Sequence, residues 1–165
     1  MNVDTLKKTL WLLVLVLVQV LILNHVHLFG VATPLLYIYF ITIFQRNYPR
    51  WAILLWGFVL GLLIDIFANT PGVTCGTLTL MALIQPYLLH PFIPRDSAED
   101  LQPGISTLGA ASFCYYELFM VLIFCIVFYT LEMFSFFNFL FWLECVVGST
   151  ILTYLLILVI ENVRR

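Results

Sequence analysis

Long apolar runs separated by short polar breaks organise this chain. A helix that crosses a hydrocarbon core of about 30 Å needs about 20 residues. Six runs approach that length, over about 9–23, 28–44, 51–68, 77–93, 108–131 and 139–160. Asn24 to His27 closes the first. Pro34 interrupts the second and predicts a short or kinked helix, because proline removes a backbone donor and clashes with the preceding turn. Gln45 to Arg50 is polar and precedes the third, which ends at Asn69-Thr70-Pro71-Gly72. Pro71 and Gly72 there occupy the central positions of a tight turn, so the third and fourth runs are expected to form a helical hairpin. Pro86 and Pro91 predict a bent end to the fourth run. Pro94 to Gln102 is the one extended polar stretch, and Glu132 to Asn138 separates the last two runs. The pattern predicts an all-α integral membrane protein, a single transmembrane domain over 1–165 built as a bundle of about six helices.

Composition strengthens this reading. Of 165 residues, 63% are hydrophobic and 10% are charged, against roughly 45–50% and ~25% in soluble domains. Lys7 and Lys8 before an apolar run resemble the start of a signal peptide, but no small-x-small cleavage site follows, so a retained first helix is expected. The net charge is -2 and the seven basic residues are scattered, which excludes the basic stripe that neutralises nucleic acid.

Those basic residues also set an orientation, since Lys and Arg flanking membrane segments stay on the cytoplasmic side. With six spans, Lys7, Lys8, Arg46, Arg50, Arg95, Arg164 and Arg165 all fall on one face. Random placement would give such agreement about once in 64 trials. The N- and C-termini are therefore expected to be cytoplasmic.

Three carboxylates interrupt the apolar runs: Asp65, Glu117 and Glu144. An ionised carboxylate at the bilayer centre costs on the order of 2.5–3.5 kcal/mol or more. No Lys or Arg lies between Arg50 and Arg95 or between Arg95 and Arg164, so these acids are protonated, hydrogen-bonded, exposed to a wet cavity or paired with another protein. Either they mark an ion path or partner contact, or they bond neighbours such as Tyr115, Tyr116, Ser149 or Thr153. Gly57, Gly61 and Asp65 recur every four residues and form one stripe of the third helix, where two glycines admit a close neighbour. A structural role is favoured for Asp65. Gly148 follows Glu144 by four residues and repeats the combination of acid and small residue, which suggests that the third and sixth helices meet.

Other chemistry is sparse. His25 and His27 make too few ligands for a zinc site and read as interfacial loop residues, and Cys75, Cys114, Cys125 and Cys145 show no C-x-x-C or metal-ligand spacing. No metal site and no cofactor is expected. No nucleophile elbow, Walker motif or H-E-x-x-H is present, and the polar loops are too short to build a catalytic site. The chain is expected not to be an enzyme.

The run from Trp56 through Gly57, Gly61 and Asp65 to Phe67, followed by Asn69-Thr70-Pro71-Gly72-Val73, resembles the signature of the rod shape-determining protein MreD family. Pro34-Leu35-Leu36-Tyr37-Ile38-Tyr39-Phe40 and Arg46-Asn47-Tyr48-Pro49 are similar to that family too, as are the length and the number of spans. The resemblance is strongest from about residue 28 to 95 and beyond residue 100 is chiefly one of hydropathy. It implies a bacterial cytoplasmic (inner) membrane protein of the elongation machinery, which partners MreC and works with MreB, RodA and its transpeptidase partner in lateral peptidoglycan synthesis. The alternative is a small-molecule carrier resembling the substrate-binding subunit of an energy-coupling-factor transporter, also a bundle of about six helices. It predicts a polar pocket, but the A-x-x-x-A docking motif of those subunits is missing from the first helix.

Overall fold

The computed structural model describes residues 3–22, 33–94, 101–134 and 138–164. Among these the regular structure is entirely helical: α1 (Val3–Leu21), α2 (Tyr39–Thr42), α3 (Arg50–Ala68), α4 (Val73–Leu89), α5 (Ile105–Leu108), α6 (Ala110–Met133) and α7 (Phe139–Arg164), with 3₁₀ turns at Leu36–Ile38 and His90–Phe92. Among the described residues four helices are long and apolar enough to cross a membrane: α3, α4 with its 3₁₀ extension to Phe92, α6 and α7. At 1.5 Å per residue they measure roughly 28 to 39 Å, enough for a hydrocarbon core of about 30 Å. The protein is therefore a multi-pass membrane protein with apolar helix surfaces suited to lipid.

The first two expected spans differ from this regular picture. The apolar part of α1, Lys8–Leu21, is short, and residue 23 lies outside the described residues. The second, expected as one helix over 28–44, is broken in its described part, residues 28–32 lying outside it. Residues 33–35 are not helical, Leu36–Ile38 is a 3₁₀ turn, and Tyr39–Thr42 is a single α turn. Proline at 34 accounts for the non-helical Thr33 and Pro34, since it can neither donate nor let its predecessor turn helical.

This broken segment sits in the middle of the bundle. Tyr37, Ile38, Tyr39, Phe40 and Ile41 are buried, and they share a core with Leu60, Leu78, Met81, Phe113, Met120, Phe124 and Ile157 from the surrounding helices. Non-helical backbone at membrane depth is tolerated only where protein or a wet cavity surrounds it. Around the segment, α3 pairs with α4, α4 packs on α6, and α6 packs on α7, while α1 lies against α3 and the broken segment.

Contacts gather the described basic residues at one end of the bundle. Lys8 lies 3.5 Å from the centre of the Tyr48 ring, the Arg46 N–H donates to the Leu101 carbonyl at 3.0 Å, Arg50 donates to the Tyr87 hydroxyl at 3.3 Å, and Arg164 donates to Gln102 at 3.4 Å. The start of α1 and the end of α7 thus share that end. Arg95 and Arg165 lie outside the described residues. The turn Thr70–Gly72 is at the opposite end.

Candidate functional site

The stripe of Gly57, Gly61 and Asp65 faces α4. A Cβ built on Gly61 would stand 2.4 Å from the Cys75 Cα, 2.8 Å from its N and 2.9 Å from the Thr74 carbonyl oxygen. At Gly57 the nearest atoms are the Leu78 carbonyl at 3.1 Å and the Ala82 Cβ at 3.2 Å. The two backbones touch at Gly61 and have some slack one turn earlier.

Asp65 explains why they close there. Its Oδ1 accepts from the Thr74 N–H at 2.9 Å and the Thr70 hydroxyl at 3.0 Å, and its Oδ2 accepts from the Cys75 N–H at 2.9 Å. Thr74 and Cys75 are the second and third residues of α4, whose N-cap position is Gly72, without a side chain. The free donors of a helix start are normally met by the N-cap side chain. Here a carboxylate from the preceding helix meets them, with the positive end of the α4 dipole beside its charge. The turn between is set by two left-handed residues, Asn69 (φ 56) and Gly72 (φ 84). Gly72, with ψ -8 and the Val73 N–H bonded to the Thr70 carbonyl, has the geometry of the third residue of a type II turn, and Pro71 precedes it.

Glu144 and Gly148 lie elsewhere. Glu144 is exposed and Gly148 half-buried, whereas the close neighbours of Gly57 and Gly61 belong to α4 and the broken segment. Around Glu144 on α7, Leu140, Leu143, Val147 and Ile151 are exposed and apolar. Glu144 is five residues, about 8 Å, along the helix.

Glu117 is fully buried, and among the described residues neither of its carboxyl oxygens has a hydrogen-bond partner. Of the four hydroxyls expected to bond the acids, Tyr116, Ser149 and Thr153 bond the broken segment instead, and Tyr115 is exposed. Tyr116 donates to the Thr42 carbonyl at 3.1 Å, Ser149 accepts from the Thr33 N–H at 3.1 Å, and Thr153 accepts from the Leu35 N–H at 3.0 Å. Gln19 adds a two-sided contact, donating to the Pro34 carbonyl at 2.9 Å and accepting from the Leu36 N–H at 3.2 Å. Gln85 donates to the Phe44 carbonyl at 3.3 Å. At the basic end, Glu161 accepts from the Tyr39 hydroxyl and from the Ile105 N–H, and pairs with Arg164 at 3.6 Å.

Sequence reasoning did not assign this polar spine. Its signal was Ser149, Thr153 and Glu161 at multiples of four on α7, opposite a run broken at Thr33-Pro34, with single glutamines in two apolar helices. The histidines 25 and 27 lie outside the described residues, and among those described no cluster of three His, Cys, Asp or Glu is placed to hold a metal ion.

No protein-family model, no curated protein and no solved structure matches the chain.

Proposed function

We propose that this protein is a non-enzymatic membrane scaffold that holds a second membrane protein through helix contacts within the bilayer. The observation that carries the reading is Glu144, an exposed carboxylate about 8 Å into α7 with exposed apolar residues on either side of it. Ionisable residues in membrane helices nearly always face a bundle interior, a wet cavity or a partner. Lipid gives this one nothing to bond, whereas a partner helix supplies a donor. Gly57, Gly61 and Asp65 serve the scaffold differently, by locking α3 to α4.

From the residues 56–73 that resemble MreD, the partner is MreC and the setting is the elongation machinery of a bacterial cytoplasmic membrane, with RodA, its transpeptidase and MreB as further members. The end carrying Lys8, Arg46, Arg50 and Arg164 faces the cytoplasm, and the broken segment is the second of six crossings. Photo-crosslinkers at Leu143 and Val147 in cells, with depletion and observation of cell shape, test the proposal. Crosslinks to a single membrane protein and loss of rod growth support it. Unchanged shape, with crosslinks only to a transport ATPase, would sink it.

A second reading, the small-molecule carrier, has one observation in its favour. A cavity of about 400 Å³ lies between the broken segment and the ends of α3, α4 and α6, lined in part by Thr33, Tyr37, Thr70, Thr74 and Glu132. That volume suits a small ligand. A defined small molecule that stays with the protein through purification would favour the carrier.

A further inference from the structure

At the basic end of the bundle a second cleft, of about 370 Å³, opens between the loop before α3 and the last turn of α4. Its polar wall includes Arg46, Arg50 and His90, its apolar wall Pro86, Leu89 and Ile93, and among the described residues no carboxylate lines it. Arg46 and Arg50 are exposed. Among the described residues the one ion pair is that of Arg164 with Glu161, so neither guanidinium of the cleft is paired with a described carboxylate. Arg50 spends one donor on the Tyr87 hydroxyl and stacks over that ring with its central carbon 5.4 Å from the centroid, which fixes the fork beside the cleft. Trp51, next along α3, and Tyr87 are both exposed. An indole and a phenol at the ends of apolar helices mark the level of lipid headgroups.

From this geometry we infer that the cleft binds the phosphate of an anionic membrane lipid. Two guanidinium forks match phosphate oxygens in the plane-to-plane manner that a lysine cannot. The apolar wall faces the glycerol and the start of the acyl chains, and basic pockets between membrane helices are suited to such headgroups. The uncapped start of α3, where Pro49 precedes Arg50 and offers no side-chain acceptor, adds the positive end of a helix dipole. The inference is independent of the partner on α7.

The test uses the full purified chain in detergent, titrated with phosphatidylglycerol or phosphatidylcholine and read by native mass spectrometry. One phosphatidylglycerol should be retained in preference to phosphatidylcholine. Each guanidinium removed should weaken that preference roughly fivefold, so Arg46→Ala with Arg50→Ala should lower it roughly 25-fold. Circular dichroism melting of the variant checks the fold, and Arg50→Lys, which keeps the charge but loses the fork and its stacking on Tyr87, should lose part of the preference. Inorganic phosphate at millimolar concentration should not displace the lipid. Equal retention of the two lipids by the unaltered protein would overturn the inference, as would a double variant that folds and keeps the preference. Displacement by inorganic phosphate would assign the cleft to a soluble phosphate and overturn the lipid.

Discussion

Replacing Gly61 by alanine isolates the contact on which the α3–α4 hairpin depends. The added carbon would meet the Cys75 backbone at 2.4 Å and 2.8 Å. Ordinary contact begins near 3.5 Å, so the helices must part by about 1 Å, and the atoms in the way are backbone rather than the end of a flexible side chain. Overpacking of this kind costs up to about 3 kcal/mol, and alanine returns about 1 kcal/mol of helix propensity. If Asp65 keeps both bonds to α4, the net loss is about 2 kcal/mol. If separation breaks one charge-assisted bond, worth about 2 kcal/mol, the loss rises to about 4 kcal/mol. Gly57→Ala is the internal control, because its neighbours stand at 3.1 and 3.2 Å and need shift by only a few tenths of an ångström. Its net effect should lie within about 1 kcal/mol of zero. Reversible unfolding in mixed micelles, followed by circular dichroism, measures both. Equal effects of the two variants, or a stabilising Gly61→Ala, would refute the reasoning.

Three further outcomes follow from the same contacts. Asp65→Asn keeps one acceptor oxygen but turns an amide N–H towards the other α4 backbone N–H, so it should cost about 2 kcal/mol, whereas Asp65→Ala, which loses every bond to the start of α4, should cost more, about 4 kcal/mol, in the same unfolding assay. Thr153→Val leaves the buried Leu35 N–H without its acceptor and should cost about 1–3 kcal/mol, with Thr153→Ser near neutral; hydrogen exchange at Leu35 should rise in the valine variant alone. On a background lacking the native thiols, cysteines at Gln45 and Pro71 should be labelled from opposite sides of the membrane, Gln45 from the cytoplasm; labelling of both from one side would remove the proposed topology.

The long helices were legible because the bilayer dictates their length. The expected spans 51–68, 77–93, 108–131 and 139–160 correspond to α3, α4 with its extension, α6 and α7. Small differences have local causes: Gly109, at φ 83, sets α6 to begin at Ala110. The break at Pro34 was legible too, but not its extent, because a buried irregular segment is as apolar as a helix and its backbone partners come from distant residues. Ser149 and Thr153 lie more than a hundred positions from the groups they bond. Periodicity likewise revealed a glycine face on α3 without saying which helix fills it. That choice was made by the Asn69–Gly72 turn and by the Asp65 bonds across it. Glu144 and Glu117 looked alike in sequence, and tertiary packing alone put one on the surface and the other in the core.

The central claim, that the Glu144 face of α7 holds a membrane partner, is tested most directly by purifying the tagged protein from its own membranes beside its Glu144→Leu variant. Co-purifying integral membrane proteins are then quantified by mass spectrometry. A hydrogen bond between membrane helices is worth roughly 0.6–1.7 kcal/mol, or roughly three- to eighteenfold in affinity. One membrane protein should therefore accompany the unaltered chain and fall by that factor with the variant, while thermal stability stays the same. Equal recovery of that protein with both chains, or a bound small molecule with no membrane protein at all, would contradict the account.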